Sequence, residues 1–119
     1  MRSKKISLTY KGRKLNFEAG LCEGASQGVG LIFKSRDTRP LLFDFEEPTR
    51  LAITSVFVFF PFLAIWLDDK DKIIEKKIVK PFTMAVRPKR PFTRLLEIPI
   101  NQKYFKEIEI LLESSLGDK

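Results

Sequence analysis

The longest uncharged stretch of the chain, residues 51–67, constrains the fold more than any other feature; it reads LAITSVFVFFPFLAIWL. Most of its residues are β-branched or aromatic, and these types suit a buried, pleated strand. Pro61 lies near the middle, where proline removes a backbone donor that a continuous strand or helix would need. The stretch therefore predicts two buried strands joined by a bend at Pro61, and it is the expected core of the protein.

A membrane helix is the alternative for residues 51–67, because a bilayer span needs about 20 apolar residues and tolerates about 17. Hydrophobic residues make up 44% of the chain, which is typical of a globular protein. The N-terminal sequence MRSKKISLTYKGRK is basic but has no apolar segment of the kind found in signal peptides. We therefore expect one soluble, cytoplasmic domain over residues 1–119, with no membrane partner.

The residue types that are present exclude much catalytic chemistry. The chain has no histidine and one cysteine, Cys22. It therefore has no thiolate–imidazole pair, no Ser–His triad, no His-based metal site and no internal disulfide. We expect no metal and no cofactor, and the catalytic residues are unknown. The low content of Asn, Gln and Cys beside abundant Lys and Glu is the bias of hyperthermophile proteins.

Alternation of apolar and polar residues predicts strands along most of the chain. It occurs on both sides of Gly12, which predicts an N-terminal hairpin. The apolar positions of this hairpin are Ile6, Leu8, Tyr10, Leu15, Phe17 and Ala19. Further strands are predicted at 31–33, 41–45, 73–79 and 95–98. Residues 20–30 hold four glycines and predict a loop, and they match neither the phosphate-loop nor the dinucleotide-binding pattern.

Two other segments complete the expected fold. Residues 68–72 are a charged turn that lacks the Gly and Glu of a calcium loop. Asn101 is a plausible cap for a helix that places Phe105, Ile108, Leu112 and Leu116 on one face and stops at Gly117. A short helix followed by a strand at 109–116 is the alternative. The predicted fold is mainly β (α+β), a compact antiparallel β barrel or sandwich of short strands with one C-terminal helix.

Several short motifs, in this order and spacing, resemble the family named domain of unknown function 192, which comprises small uncharacterised prokaryotic proteins. The matching steps are Gly30-Leu31-Ile32-Phe33-Lys34, Leu42-Phe43-Asp44-Phe45, Phe60-Pro61 through Trp66-Leu67-Asp68, and Leu96-Glu97-Ile98-Pro99. The resemblance covers most of the chain. It implies a compact, mainly β fold with a helix near the end, and it implies no reaction.

The chain departs from that family around Pro61. Typical members carry Lys and Asn in the run before the proline and an Asp two residues after it. Here Val56, Phe57 and Leu63 replace those polar groups. Asp68 and Glu97 are the carboxylates that remain at matched positions, and a small enzyme that uses this pair is one alternative function. An exposed turn Asp and a strand Glu are more typical of a solvated or ion-paired surface.

Charge is partitioned along the chain, whose net charge is +7. Residues 1–14 hold six basic residues and residues 76–94 hold seven, and neither segment has an acidic one. Three prolines in 80–94 predict an exposed, extended loop. We predict anion binding by Arg87, Lys89, Arg90 and Arg94, in a non-enzymatic module for nucleic acid or an acidic protein surface. Phe82 and Phe92 of this loop either stack on bases or enter the core.

Overall fold

The N-terminal hairpin forms as its alternation predicts. The computed structural model describes residues 3–22, 39–53, 58–83 and 85–112. Strand β1 (Ser3–Tyr10) pairs antiparallel with β2 (Arg13–Cys22), and Ile6 lies opposite Phe17. Lys11 and Gly12 in the turn have φ of 49° and 80°, the left-handed values that a two-residue hairpin turn requires. Residues 23–30 of the predicted loop and the predicted strand 31–33 lie outside the described residues.

Gly20–Cys22 belong to a strand, so the prediction of a loop was wrong for these three residues. They pair in parallel with Leu41–Phe43, the start of β3 (Leu41–Thr49). A parallel pair needs a long crossover connection, and residues 23–40 provide the length. The sheet is therefore mixed, whereas the sequence predicted an antiparallel one. Strand β3 confirms the predicted strand at 41–45 and extends it by four residues.

Three further strands complete one curled, half-barrel sheet, which confirms the mainly β prediction. They are β4 (Phe62–Leu67), β5 (Ile73–Val79) and β6 (Phe92–Pro99). The order across the sheet is β1-β2-β3-β6-β4-β5. Strand β6 lies between β3 and β4 and is antiparallel to both. Residues 95–99 of β6 are buried, because the neighbouring strands cover both edges of β6 and an apolar cluster packs against each of its faces.

The uncharged stretch splits at Pro61, and among its described residues only the second half forms a strand. The second half is β4, in which all six residues are buried. In the described part of the first half, Ile53 makes an isolated bridge to Val86, and residues 58–60 are irregular. The prediction of a complete strand before Pro61 is therefore wrong for 51–53 and 58–60. No helix among the described residues is long and apolar enough to cross a membrane.

Two apolar clusters cover the two faces of the sheet. The first contains the N-terminal hairpin, one face of β4 and β6, and the C-terminal helix; its buried members are Ile6, Leu8, Leu15, Phe17, Ala19, Leu42, Leu63, Ile65, Leu67, Leu96, Ile98, Ile108 and Leu111. The second contains the opposite face of β4 and β6 with residues from two irregular segments; its buried members are Cys22, Leu41, Phe43, Val58, Phe60, Phe62, Ala64, Trp66, Val79, Val86, Phe92 and Leu95. Each fully buried Leu, Ile or Phe contributes about 1.5–3 kcal/mol.

The C-terminal helix forms with a different buried face from the predicted one. Asn101 caps it as predicted, because its side chain accepts a hydrogen bond from the Tyr104 backbone N–H, and a 3₁₀ turn (Gln102–Tyr104) leads into α1 (Phe105–Leu112). Ile108 and Leu111 are buried, whereas Phe105 is 60% exposed. The assignment of Phe105 to the buried face was wrong, because the short helix contacts the sheet through its second turn. Leu116 and Gly117 lie outside the described residues.

Candidate anion-binding surface

The basic segment 80–91 contributes Val86 to the second apolar cluster. Val86 exchanges two backbone hydrogen bonds with Ile53, with N···O distances of 2.8 and 2.9 Å. Val86 and Pro88 are buried, while the basic side chains between and after them are exposed. The prediction of an exposed loop over 80–94 was wrong for these apolar positions and for Phe92–Arg94, which belong to β6. The burial of Val86 and Pro88 and the backbone hydrogen bonds with Ile53 hold this segment against the domain.

Side-chain hydrogen bonds fix the same segment further. The Arg87 guanidinium donates to the Arg50 carbonyl at 3.3 Å, and the Arg50 guanidinium donates to the Pro88 carbonyl at 3.4 Å. The Lys89 backbone N–H donates to a Glu75 carboxylate oxygen at 2.9 Å. The contacts at Pro88 and Lys89 involve backbone atoms of the segment, so they fix the positions from which its cations project. Less conformational entropy is then lost when a ligand binds.

A shallow cleft of about 400 Å³ borders the end of this segment. Arg90 and Pro91 form one side, and the β4–β5 turn with the start of β5 forms the other; the remaining lining residues are Asp68, Lys72, Ile73 and Ile74. The cleft therefore has two cations, one carboxylate and an apolar part. Sequence reasoning placed Lys72 in a turn and missed that it lines one cleft with Arg90, because the two are brought together by the pairing of β4 with both β5 and β6.

Asp68 holds the turn that forms this cleft. Its carboxylate oxygen Oδ1 accepts hydrogen bonds from the backbone N–H groups of Lys72, at 2.9 Å, and Lys70, at 2.8 Å. These bonds, the first above all, lower the pKa of Asp68 below its ordinary value. Asp68 therefore stabilises the tip of the β4–β5 hairpin, where the sequence predicted a charged turn. In the described ranges no group of three acidic or sulfur side chains is placed to hold a metal.

Arg94 lies apart from the other predicted anion-binding residues. Its Nη1 donates to Asp71 Oδ1 at 2.8 Å and to the Asp69 carbonyl at 3.2 Å, and its Nε lies 3.4 Å from Asp44 Oδ2. The side chain is 22% exposed, and the hydrogen bond that it donates to Asp71 raises the pKa of Arg94 above its ordinary value. Arg94 thus joins β6 to β3 and to the β4–β5 turn, and it is the least accessible of the four residues.

The two acid-free segments meet at the ring of Tyr10. Lys11 Nζ, from the first segment, lies 6.0 Å from the ring centroid, and Lys76 Nζ, from the second, lies 4.8 Å from it. Tyr10 ends β1 and Lys76 belongs to β5, so the curl of the sheet brings its two edge strands together here. The two segments therefore touch at Tyr10, on the face of the sheet that Lys76 shares with Ile65, whereas Val86 of segment 80–91 belongs to the apolar cluster on the opposite face.

Glu97 lies in the apolar interior, where the sequence predicted solvent or an ion pair. It is 5% exposed and is flanked by Leu41 on β3 and Ala64 on β4. Burial raises the pKa of Glu97 to about 8. The expectation that it belongs to the surface was wrong, because β6 is covered on both faces. Asp68 lies four residues beyond Ala64, about 13 Å along the sheet, so the two carboxyl groups do not form one site.

Two solved structures share this fold. A protein of unknown function from Novosphingobium aromaticivorans DSM 12444 has a TM-score of 0.74 and 16% sequence identity, over 87% of this chain and 77% of that one. A protein from Sinorhizobium meliloti 1021, proposed to be a transcription regulator, has a TM-score of 0.75 and 17% identity, over 91% of this chain and 86% of that one. At these identities the likeness shows the fold alone.

No family model and no curated protein sequence matches this chain. The resemblance to the domain of unknown function 192 family therefore stays a prediction. The chain and the two solved structures have the overall fold in common, which in the described residues of this chain is a mainly β sheet with a C-terminal helix.

Proposed function

We propose that this domain is a non-enzymatic binding module whose basic surface takes the phosphate groups of nucleic acid. The observation that carries the proposal is the placement of Arg87, Lys89 and Arg90, three exposed cations on a segment whose backbone is fixed by Ile53 and Glu75. Lys72 lines the same cleft as Arg90 and adds a fourth positive charge. Arginine and lysine on a fixed backbone bind phosphate without reading sequence.

The charge distribution supports the same assignment. The acid-free segment 76–94 holds seven basic residues, and Lys76 brings it into contact with the acid-free segment 1–14 at Tyr10. A surface of one sign attracts polyanions over a distance set by ionic strength. The Sinorhizobium meliloti protein is proposed to regulate transcription, a role that is consistent with nucleic acid as the partner. Its likeness to this chain is one of fold alone. Contact with three or four phosphates implies that affinity falls roughly 40- to 150-fold between 50 and 200 mM salt.

The test compares two charge-reversed variants in a fluorescence anisotropy titration with labelled oligonucleotides at low ionic strength. Arg87, Lys89 and Arg90 are changed together to Glu in one variant, and we expect it to lose binding. Lys4, Lys103 and Lys106, which are exposed residues outside segment 80–91, are changed to Glu in the matched control. The control changes net charge by the same amount, so it separates a local site from general electrostatic attraction.

Thermal midpoints of both variants are measured first, and we expect them to stay close to that of the wild type, because the substituted side chains face solvent. Absence of wild-type binding to every nucleic acid at low salt contradicts the proposal. Equal loss of binding in the two variants also contradicts it, because net charge alone would then be responsible. Equal wild-type affinity for poly-glutamate would favour an acidic protein surface instead of nucleic acid.

A further inference from the structure

Phe59 and Phe82 form an exposed aromatic pair that the anion-binding surface does not explain. Phe59 is 57% exposed, although its neighbours Val58 and Phe60 belong to the core, and Phe82 is 59% exposed. Their ring centroids are 5.4 Å apart and the rings are inclined by 76°, an edge-to-face arrangement. By contrast, Phe60 is only 2% exposed and Phe92, in the same acid-free segment as Phe82, is only 1% exposed. This pair therefore presents ring surface to solvent from a well-packed region.

The backbone at Phe82 holds its ring outside. Its φ is 62°, in the left-handed region that non-glycine residues, and bulky ones in particular, rarely adopt. The turn around it is closed by the Thr83 hydroxyl, which donates to the Lys80 carbonyl at 2.8 Å. Unfavourable backbone conformations of this kind persist where the surrounding structure fixes them, and they concentrate at functional sites. The turn presents Phe82 toward Phe59 rather than toward the core.

The aromatic pair lies on the same side of the sheet as the basic segment. Val58 and Phe60, on either side of Phe59, belong to the second apolar cluster, which also contains Val86. Phe82 lies within the acid-free segment 76–94, two residues after Lys80 and five before Arg87. Exposed rings beside cations match the way nucleic acid presents flat bases next to phosphates. The charged residues of the chain around Phe82 are all basic, and this charge is complementary to a polyanion.

We propose that Phe59 and Phe82 stack on an unpaired base, so that the ligand class of this surface is single-stranded nucleic acid. This inference rests on the proposed function, because the cations of segment 80–91 would hold the backbone of the same strand. Stacking accepts any base, since every base has a flat π face, and it requires that the base be free of a duplex partner. Single strands should therefore bind more tightly than duplexes of equal length.

The experiment measures binding of labelled oligo-dT of about twelve nucleotides and of an abasic oligonucleotide with the same number of phosphates. Phe82→Ala and Phe59→Ala are compared with the control Phe105→Ala. Phe105 is also exposed, by 60%, but it belongs to α1, which packs against the other face of the sheet. We expect Phe82→Ala to weaken oligo-dT binding roughly 5- to 150-fold. Phe105→Ala should bind as the wild type does, and all the proteins should bind the abasic strand with similar, weaker affinity.

Two further variants protect the test from effects on folding. Phe82→Trp keeps a larger stacking ring and should retain or increase affinity for oligo-dT. Phe82→Gly accepts the positive φ without strain and should lose affinity while keeping the wild-type thermal midpoint. If the wild type binds in a salt-dependent way but Phe82→Ala binds equally well, or if the abasic strand binds as tightly as oligo-dT, stacking is refuted and phosphate binding stands. If sedimentation instead shows that Phe82→Ala converts a dimer to a monomer with unchanged oligo-dT affinity, the pair is a dimer contact and the inference is overturned.

Discussion

Glu97 provides the sharpest test of the interior of this protein. Its carboxyl group lies between Leu41 and Ala64, and burial raises its pKa from 4.5 to about 8. A carboxyl group whose pKa is higher in the folded state binds its proton more tightly folded than unfolded. The contribution of Glu97 to stability is therefore fully present below about pH 4.5. It is lost progressively as the pH rises from there through about 8.

The size of the effect follows from the two pKa values. A rise from 4.5 to about 8 corresponds to about 5 kcal/mol of stability lost between those pH values, an upper limit because interiors relax around a charge. Such a loss is large beside the 5–15 kcal/mol that is typical of a whole domain. Replacing Glu97 with Gln keeps the size of the side chain and removes its titration. We expect Glu97→Gln to gain about 2–5 kcal/mol over the wild type at pH 9 and little or nothing at pH 5.

Urea unfolding at pH 5, 6, 7, 8 and 9 measures this directly. Trp66 is the only tryptophan of the chain and is fully buried, so its fluorescence reports unfolding. The urea midpoint of Glu97→Gln should exceed that of the wild type by roughly 1–3 M at pH 9. Glu18→Gln on β2 is the matched control, because Glu18 is exposed, and its midpoints should follow those of the wild type.

A wild-type midpoint that stays constant or rises from pH 5 to pH 8 would refute the reasoning. So would Glu97→Gln curves that run parallel to those of the wild type, because the pH dependence would then have another source. Either result would mean that solvent reaches the carboxyl group of Glu97.

Two other predictions concern the helix and Arg94. Leu111→Ala and Ile108→Ala should each lower the free energy of unfolding by about 2–5 kcal/mol, because both side chains are buried. Phe105→Ala should lower it by less than about 0.5 kcal/mol, because Phe105 is exposed. If denaturant titrations give comparable losses for all three, the helix packs against the sheet differently. Arg94→Met should lower the free energy of unfolding by about 1–2 kcal/mol, because it removes the ion pairs with Asp44 and Asp71. Arg90→Met should change it by less than about 0.5 kcal/mol. Equal effects of the two substitutions would contradict the separate roles of the two arginines.

Local patterns predicted the elements that depend on neighbouring residues. The alternation around Gly12 predicts the hairpin because both strands and their turn lie within twenty residues. Asn101 predicts the start of the helical segment because a cap acts on backbone groups three residues away. The turn after Leu67 is predicted for the same reason, since Asp68 satisfies the backbone of Lys70 and Lys72.

Long-range pairing decided what the sequence did not predict. Glu97 alternates with Leu96 and Ile98 like a surface residue, and only its position between β3 and β4 buries it. Arg90 and Arg94 share one basic segment, yet β6 begins at Phe92 and places Arg94 opposite Asp44. Phe82 and Phe92 both follow a proline, and their exposures differ because one lies in a turn and the other in a central strand.

The central position of β6 sets the order in which this sheet is assembled as the chain is made. The β1–β2 and β4–β5 pairs are local and can form as soon as their residues emerge, but Leu42 pairs with Leu96 across more than fifty residues. Until residues 92–99 are synthesised, β3 and β4 each present an open edge of buried residues to other chains. Loop closure over such distances is slow compared with hairpin formation. The nascent protein is therefore most vulnerable to mispairing in the interval before β6 is inserted, and the strand that carries Glu97 and Arg94 ends that interval.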